Sequence, residues 1–282
     1  MKFRHSPFFA LAGAGALFGV TVPLTKIALS WLGPAGVTAV RFALAAPVLA
    51  YVGRRGLARA CTPAVVVAGA LGYGGMVLLQ NAGLDRTSVG HAAVLVGATP
   101  ALIALFAAFG GGATGIRSWL GFLATLAGVA LVAGSGGSAS FAGDALVLLS
   151  AGSQAAFVVV QARLLERRDA AAVTAVQMAA AAAVAAPFAA FEGVPTVPHW
   201  GAATALVALV LAGTVLPFAL FAFGQARVRP EVAGAFVNLE PLVGAAVAVL
   251  AFGNPFGLAQ AAGTLAILAG IALSSGGGET AV

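Results

Sequence analysis

The sequence predicts an all-α integral membrane protein with ten transmembrane helices. Of the 282 residues, 61% are hydrophobic and only 8% are charged, whereas an average soluble domain carries about 25% charged residues. Long apolar runs follow one another along the chain, and each approaches the roughly 20 residues that a membrane helix needs. Lys and Arg fall mainly in the short gaps between these runs. A soluble protein so poor in charge could not cover its own surface.

The apolar runs define the ten spans. Barrel strands are about 10 residues long and alternate apolar with polar residues, whereas these runs are continuous and rich in Leu, Ala and Val. The first run also has the basic start and apolar stretch of a signal peptide. We interpret it as the first membrane helix, because similar runs fill the rest of the chain. The predicted spans are 8–30, 34–53, 62–82, 88–110, 117–134, 144–164, 172–191, 200–224, 230–252 and 256–275.

The positions of Lys and Arg predict that both termini are cytoplasmic. Cytoplasmic loops carry an excess of these residues, and a cytoplasmic N-terminus leaves Arg86 alone outside, with Lys26 and Arg41 inside spans. The basic residues form no clustered patch of the kind that binds nucleic acid. The predicted cytoplasmic set is Lys2, Arg4, Arg54, Arg55, Arg59, Arg117, Arg163, Arg167, Arg168, Arg227 and Arg229.

Two halves of the chain, 1–138 and 139–282, look like repeats of one another. GFLATLAGVALVAG begins at Gly121 and GTLAILAGIALSSG begins at Gly263, while Pro241 follows Pro100 by 141 residues. Each half holds five predicted spans, so the second half enters the membrane from the opposite side. The sequence therefore predicts inverted repeats, the architecture of many secondary transporters. The repeated glycines indicate close packing between helices.

Several segments carry a resemblance to a known family. They are LFGVTVPLTKIAL in the first span, AVRFALAAP in the second, and a proline-centred fourth and ninth span, each followed by a glycine-rich span. With this layout the chain resembles the EamA family of the drug/metabolite transporter superfamily over nearly its whole length. The resemblance implies an exporter of amino acids, related metabolites or toxic cations in the bacterial inner membrane, with its site enclosed between the halves. It is similar in overall form to the branch that exports aromatic and other neutral amino acids.

One family feature is missing from this chain. The family often carries a Glu near the end of the fourth and ninth helices, where this sequence reads FGGGATG and FGNPFG. No role tied to that Glu carries over.

Glu240 and Pro241 stand out within the ninth span. A charged Asp at the centre of a membrane helix costs about 2.5–3.5 kcal/mol, so we expect Glu240 to face the interior, to be paired or to be protonated. Three roles stay open: anchoring a substrate amino group, carrying a coupling proton, or pairing structurally with Lys26, Arg41 or backbone freed by the proline. Proline lacks an N–H and kinks a helix. Paired kinks predict that Pro100 and Pro241 are hinges or site walls, although membrane helices tolerate proline generally.

Other polar side chains inside the spans are candidates for the substrate site. Lys26 and Arg41 lie toward the outer ends of their spans, where they either snorkel to the interface or form a positive patch for a substrate carboxylate. The remaining candidates line a cavity or simply bond neighbouring helices. They are Asn238, His91, Thr99, Gln80, Asn81, Tyr73 and Gln154.

No enzyme motif accompanies these residues. The sequence has no acid pair for Mg²⁺-diphosphate, no HExxH, no GxSxG and no P-loop, and its single cysteine, Cys61, excludes an intrachain disulfide and a cysteine-based metal cluster. We predict no catalytic residues, metal or cofactor, and no need for an oligomer. The predicted partners are a small-molecule substrate and the lipid bilayer, without nucleic acid. The alternatives are export of cationic drugs or other metabolites, a passive channel, and a membrane-embedded enzyme.

Overall fold

The structure is a computed structural model and is all helical where it is described. It describes residues 6–97, 99, 102–103, 105–106, 116–133, 140–193, 200–228, 230–237, 239–252 and 257–275. Within these ranges there is no strand.

The first half contributes helices α1 to α5. Helix α1 spans Ser6–Ala28 and is made of the segments Ser6–Gly19 and Thr21–Ala28. Helix α3 spans Pro63–Arg86 and contains a wide π-helical turn at Gly69–Gly75. A short helical turn, Leu57–Ala60, precedes it. The others are α2 at Pro34–Val52, α4 at Val89–Val96 and α5 at Ile116–Ala133.

The second half contributes α6 to α10. Helix α8 spans Trp200–Gln225 and contains a second π-helical turn at Leu211–Val215, which begins 142 residues after the turn in α3. Helix α9 is described in two pieces, Pro230–Val237 and Leu239–Phe252. The others are α6 at Phe141–Leu165, α7 at Ala170–Glu192 and α10 at Leu258–Ser275.

Several helix ends follow from local sequence. The Ser140 hydroxyl accepts a hydrogen bond from Gly143 N at 3.3 Å, and the Asp169 carboxylate accepts one from Ala172 N at 2.8 Å. Each satisfies a backbone donor that the first turn leaves without a partner. Helix α7 ends at Glu192, and the next residue, Gly193, has a positive φ of 80° that favours glycine.

In the described part of the chain, six helices are long and apolar enough to cross a membrane: α1, α2, α3, α6, α7 and α8. Their observed ends differ from the predicted ones by four residues or fewer. The largest difference is at the end of α3, predicted at residue 82 and observed at Arg86, because polar residues end the apolar run before the helix itself ends. Helices α5 and α10 contain shorter apolar stretches, Trp119–Gly128 and Ala261–Gly270. The ten-span count and the cytoplasmic termini stay predictions.

Each pair of packed helices has a counterpart pair in which every helix is replaced by the equivalent helix of the other half. Helix α2 packs along α7, and α5 packs along α10, so these helices meet their own counterparts. Helix α1 packs on α8 as α6 packs on α3, and α1 contacts α9 as α6 contacts α4. These pairings have the pattern expected of a two-fold relation between the halves.

Glycines allow the backbones of paired helices to approach one another closely. A β-carbon on Gly128 of α5 would lie 2.5 Å from the carbonyl oxygen of Gly263, and one on Gly270 of α10 would lie 2.5 Å from that of Gly121. Real side chains do not tolerate such distances, so only glycine lets the two backbones approach this closely. The packing role predicted for the repeated glycines is therefore confirmed.

Candidate functional site

A cavity lies where α1, α2, α3, α6, α8 and α9 meet. Its volume available to the centres of water-sized spheres is about 40 Å³, and one water needs about 10–15 Å³ on this measure. This conformation therefore has room for a few water molecules, and a larger molecule enters only if side chains move. The polar part of its wall is Thr21, Arg41, Gln80, Gln154 and Glu240.

Aromatic side chains form most of the remaining wall. The Phe18 and Phe218 rings lie edge to face with centroids 5.1 Å apart, and the Tyr73 ring lies 4.6 Å from Phe157 and 4.8 Å from Phe218. Offset and edge-to-face contacts are the favourable arrangements for aromatic rings. The wall thus offers ring faces and edges to an apolar group, and Phe221 of α8 extends it.

Arg41 enters the cavity from α2. Its side chain is 3% exposed. Its Nε donates to Thr214 Oγ1 at 3.0 Å, and its Nη2 donates to the carbonyl oxygen of Gly213 at 3.1 Å. Both partners belong to the π-helical turn of α8. A guanidinium carries five N–H donors, so Arg41 keeps donors that α8 does not use.

Glu240 enters the cavity from α9 and is 6% exposed. Small residues of α1 allow its close approach, because a β-carbon on Gly19 would lie 2.8 Å from the Glu240 carbonyl oxygen. Its Oε2 is buried and has no hydrogen-bond partner among the described residues, which is rare for a buried oxygen. Glu240 and Arg41 line the same cavity, yet in the described part of the chain no hydrogen bond or ion pair joins them.

Three further predicted residues, Tyr73, Gln80 and Gln154, also lie on the cavity wall. Thr99 is buried next to the wall, and its hydroxyl donates to Gln154 Oε1 at 3.5 Å. The structure thus brings together five predicted site residues, from four different helices and from both halves of the chain.

Two predicted residues, Lys26 and Asn81, do not line the cavity wall. Lys26 Nζ donates to the carbonyl oxygens of Leu84 at 2.7 Å and Thr87 at 3.2 Å. It therefore caps the C-terminal end of α3, where the helix dipole favours a cation, and does not lie on the cavity wall. Asn81 Nδ2 donates to Thr38 Oγ1 at 2.9 Å and ties α3 to α2.

The structure does not test the other predicted residues. Pro100 and Asn238 lie outside the described residues. His91 lies in α4, and its side chain is also outside the described part. Pro241 lies in the described range Leu239–Phe252 of α9, and its side chain is outside the described part.

Thr214 and most of the aromatic wall are not among the residues predicted from the sequence. The helices that carry these residues are apolar all round, so no amphipathic face marks the side that lines a cavity. One available signal was Gly213, which follows Gly72 by 141 residues, the spacing of the two prolines. Within the described ranges, no three His, Cys, Asp or Glu side chains gather at a point that could hold a metal ion.

Comparison with known families identifies the chain. The sequence model of the EamA-like transporter family matches it twice, over residues 6–134 and 141–276. The chain belongs to this family. It is therefore a multi-pass membrane protein of a small-molecule transporter family, and not of an enzyme family. The two matched ranges nearly coincide with the predicted halves, 1–138 and 139–282.

A solved structure shows the same fold. A protein titled "Crystal structure of protein" is 23% identical to this EamA-like chain, with a TM-score of 0.75, over 96% of this chain and 97% of its own. At this identity the likeness extends to the fold alone. A search of curated proteins finds no match.

Proposed function

We propose that the protein is a secondary carrier that exports neutral and aromatic amino acids across the inner membrane of a bacterium. One observation carries the proposal. A buried carboxylate with an unpartnered oxygen, Glu240, and a buried guanidinium with unused donors, Arg41, face one cavity with an aromatic wall. An α-amino acid has the complementary groups: an ammonium, a carboxylate and a side chain.

The charges of Arg41 and Glu240 define the orientation in which the substrate binds in the cavity. Its carboxylate pairs with Arg41, because guanidinium donors match the geometry of a carboxylate. Its ammonium pairs with Glu240 and supplies the partner that Oε2 lacks. An apolar or aromatic side chain then lies against Tyr73, Phe157 and Phe218. Gln80 and Gln154 bond the remaining polar atoms, and we retain Asn238 and His91 as proposed contacts.

The small cavity and the paired halves support a carrier rather than a channel. A space that holds a few waters is not an open pore, so passage needs a conformational change. In the proposed mechanism the halves 1–138 and 139–282 alternate access between the two sides of the membrane, as inverted repeats do in other transporters. Pro100 and Pro241 are the proposed hinges.

The proposal is tested by counterflow of labelled phenylalanine, methionine and threonine in liposomes that contain the purified protein. Saturable counterflow is expected for the wild type. A hydrogen bond to a charged group contributes about 1.5–3 kcal/mol, so Glu240→Gln is expected to weaken apparent affinity by roughly 10- to 100-fold.

Glu166→Gln is the matched control, because Glu166 is exposed at the end of α6. It is expected to behave as the wild type. Unchanged affinity in Glu240→Gln would show that Glu240 does not anchor the amino group. If folded wild-type protein moves no amino acid, the amino-acid proposal is wrong, and cationic drugs and other metabolites become the substrates to test.

A further inference from the structure

The π-helical turn of α8 holds Arg41 in a defined orientation. Thr214 is fully buried, and its hydroxyl donates to the carbonyl oxygen of Leu209 at 2.7 Å. A hydroxyl has a single hydrogen, so the oxygen is left to accept the Arg41 Nε–H at 3.0 Å. π-helical turns are rare and are frequent at functional sites.

The two contacts with α8 occupy one edge of the guanidinium. They use Nε and one hydrogen of Nη2, and neither donor can rotate away without losing its partner. Both hydrogens of Nη1 and the second hydrogen of Nη2 have no partner among the described residues. This second edge of Arg41 is therefore the one available to a substrate.

The contacts also keep two opposite charges apart. Arg41 and Glu240 line the same cavity, and the attraction between a guanidinium and a carboxylate is strong where water is scarce. A direct ion pair would occupy both groups and leave neither for a ligand. Thr214 and Gly213 hold Arg41 on α8, while α1 holds the Glu240 segment through its close contact at Gly19.

We propose that Thr214 is a positioning residue that keeps Arg41 away from Glu240 and so makes the carrier selective for substrates with a carboxylate. The substrate class in this proposal rests on the proposed function, whereas the positioning of Arg41 by Thr214 does not. Without the Thr214 hydroxyl, Arg41 turns toward Glu240 and its free edge no longer faces a bound carboxylate. A substrate whose carboxylate is replaced by an amide then loses only its contact with Glu240, whereas an amino acid loses its contacts with both groups.

The test compares Thr214→Val, which removes the hydroxyl at nearly constant shape, with Thr214→Ser, which keeps it. Thr204→Val is the matched control, because Thr204 lies exposed on α8 and bonds only its own helix. Thr214→Ala serves if the valine variant does not fold.

The first readout needs no substrate. In ¹⁵N-arginine-labelled protein, the Arg41 Nε–H resonance, assigned by its absence in Arg41→Lys, is expected to shift and to exchange faster with water in Thr214→Val. Thr214→Ser and Thr204→Val are expected to match the wild type. An unchanged Arg41 resonance in Thr214→Val overturns the proposal.

The second readout is selectivity in counterflow. In Thr214→Val the KM for phenylalanine is expected to rise about tenfold more than the inhibition constant of phenylalaninamide, with kcat unchanged, and Thr214→Ser is expected to restore both. Equal weakening for acid and amide would show a structural role only and overturn the proposal. If the wild type moves no amino acid, the proposed function fails, and the resonance of Arg41 alone decides the role of Thr214.

Discussion

Polar side chains in the protein interior are held by partners on other helices. The clearest case outside the cavity is the pair Gln161 and Gln177, on α6 and α7. Gln161 Nε2 donates to Gln177 Oε1 at 3.1 Å, and Gln177 Nε2 donates to Gln161 Oε1 at 2.7 Å. Gln161 Nε2 also approaches the Tyr73 hydroxyl oxygen at 3.5 Å, so the pair supports one wall of the cavity from behind.

This pair gives a prediction on stability. Gln161→Leu or Gln177→Leu alone leaves a buried amide without its partner, which costs about 1–3 kcal/mol. The double variant leaves no orphaned amide, so we expect it to lose less unfolding free energy than the sum of the single losses. Equilibrium unfolding in detergent measures all three.

The control combines Gln161→Leu with Thr204→Val on α8. These positions share no hydrogen-bond partner, so their effects are expected to add. Strict additivity for the glutamine pair as well would show that the two amides do not depend on one another.

Single helices meet through glycine, and this decides which substitutions they accept. In α5, Gly128 touches the backbone of α10, whereas Gly152 in α6 has open space where a β-carbon would stand. Both lie in helices and differ mainly in what faces them.

We therefore expect opposite results from the same change. Gly128→Ala forces α5 and α10 apart, and overpacking of this kind costs about 1–3 kcal/mol. Gly152→Ala is expected to be neutral or to stabilise by up to about 1 kcal/mol, from the higher helix propensity of alanine. Unfolding free energies of the two variants check this, and equal effects would contradict the packing account.

The orientation of the whole molecule is testable with its own cysteine. Cys61 is exposed and unbonded just before α3, on the side that the distribution of Lys and Arg predicts to be cytoplasmic. A membrane-impermeant maleimide is therefore expected to leave Cys61 unlabelled in intact spheroplasts and to label it after permeabilisation.

Arg86→Cys in a Cys61→Ser background is the matched control. Arg86 is exposed at the other end of α3, so its cysteine is expected to be labelled in intact spheroplasts. The reverse pattern for the two proteins would show that the N-terminus lies outside.

The helical membrane architecture is the part of the fold that the sequence by itself determined. In lipid, backbone polar groups must be satisfied within the segment, so a long apolar run has few alternatives to a helix. Composition and run length therefore predicted six long helices to within four residues at each end. The offset between the two proline motifs predicted two halves, and the matches to the EamA-like family fall on the same halves.

Only the tertiary structure decided which polar side chains share the cavity. In the sequence, Lys26 and Arg41 look alike, since each is a single cation within an apolar span. Yet Lys26 caps α3 through Leu84, and Arg41 is held in the cavity by Thr214. The physical reason is that a buried cation needs hydrogen-bond acceptors. The acceptors of Lys26 and Arg41 belong to other helices, 58 and 173 residues away in the chain.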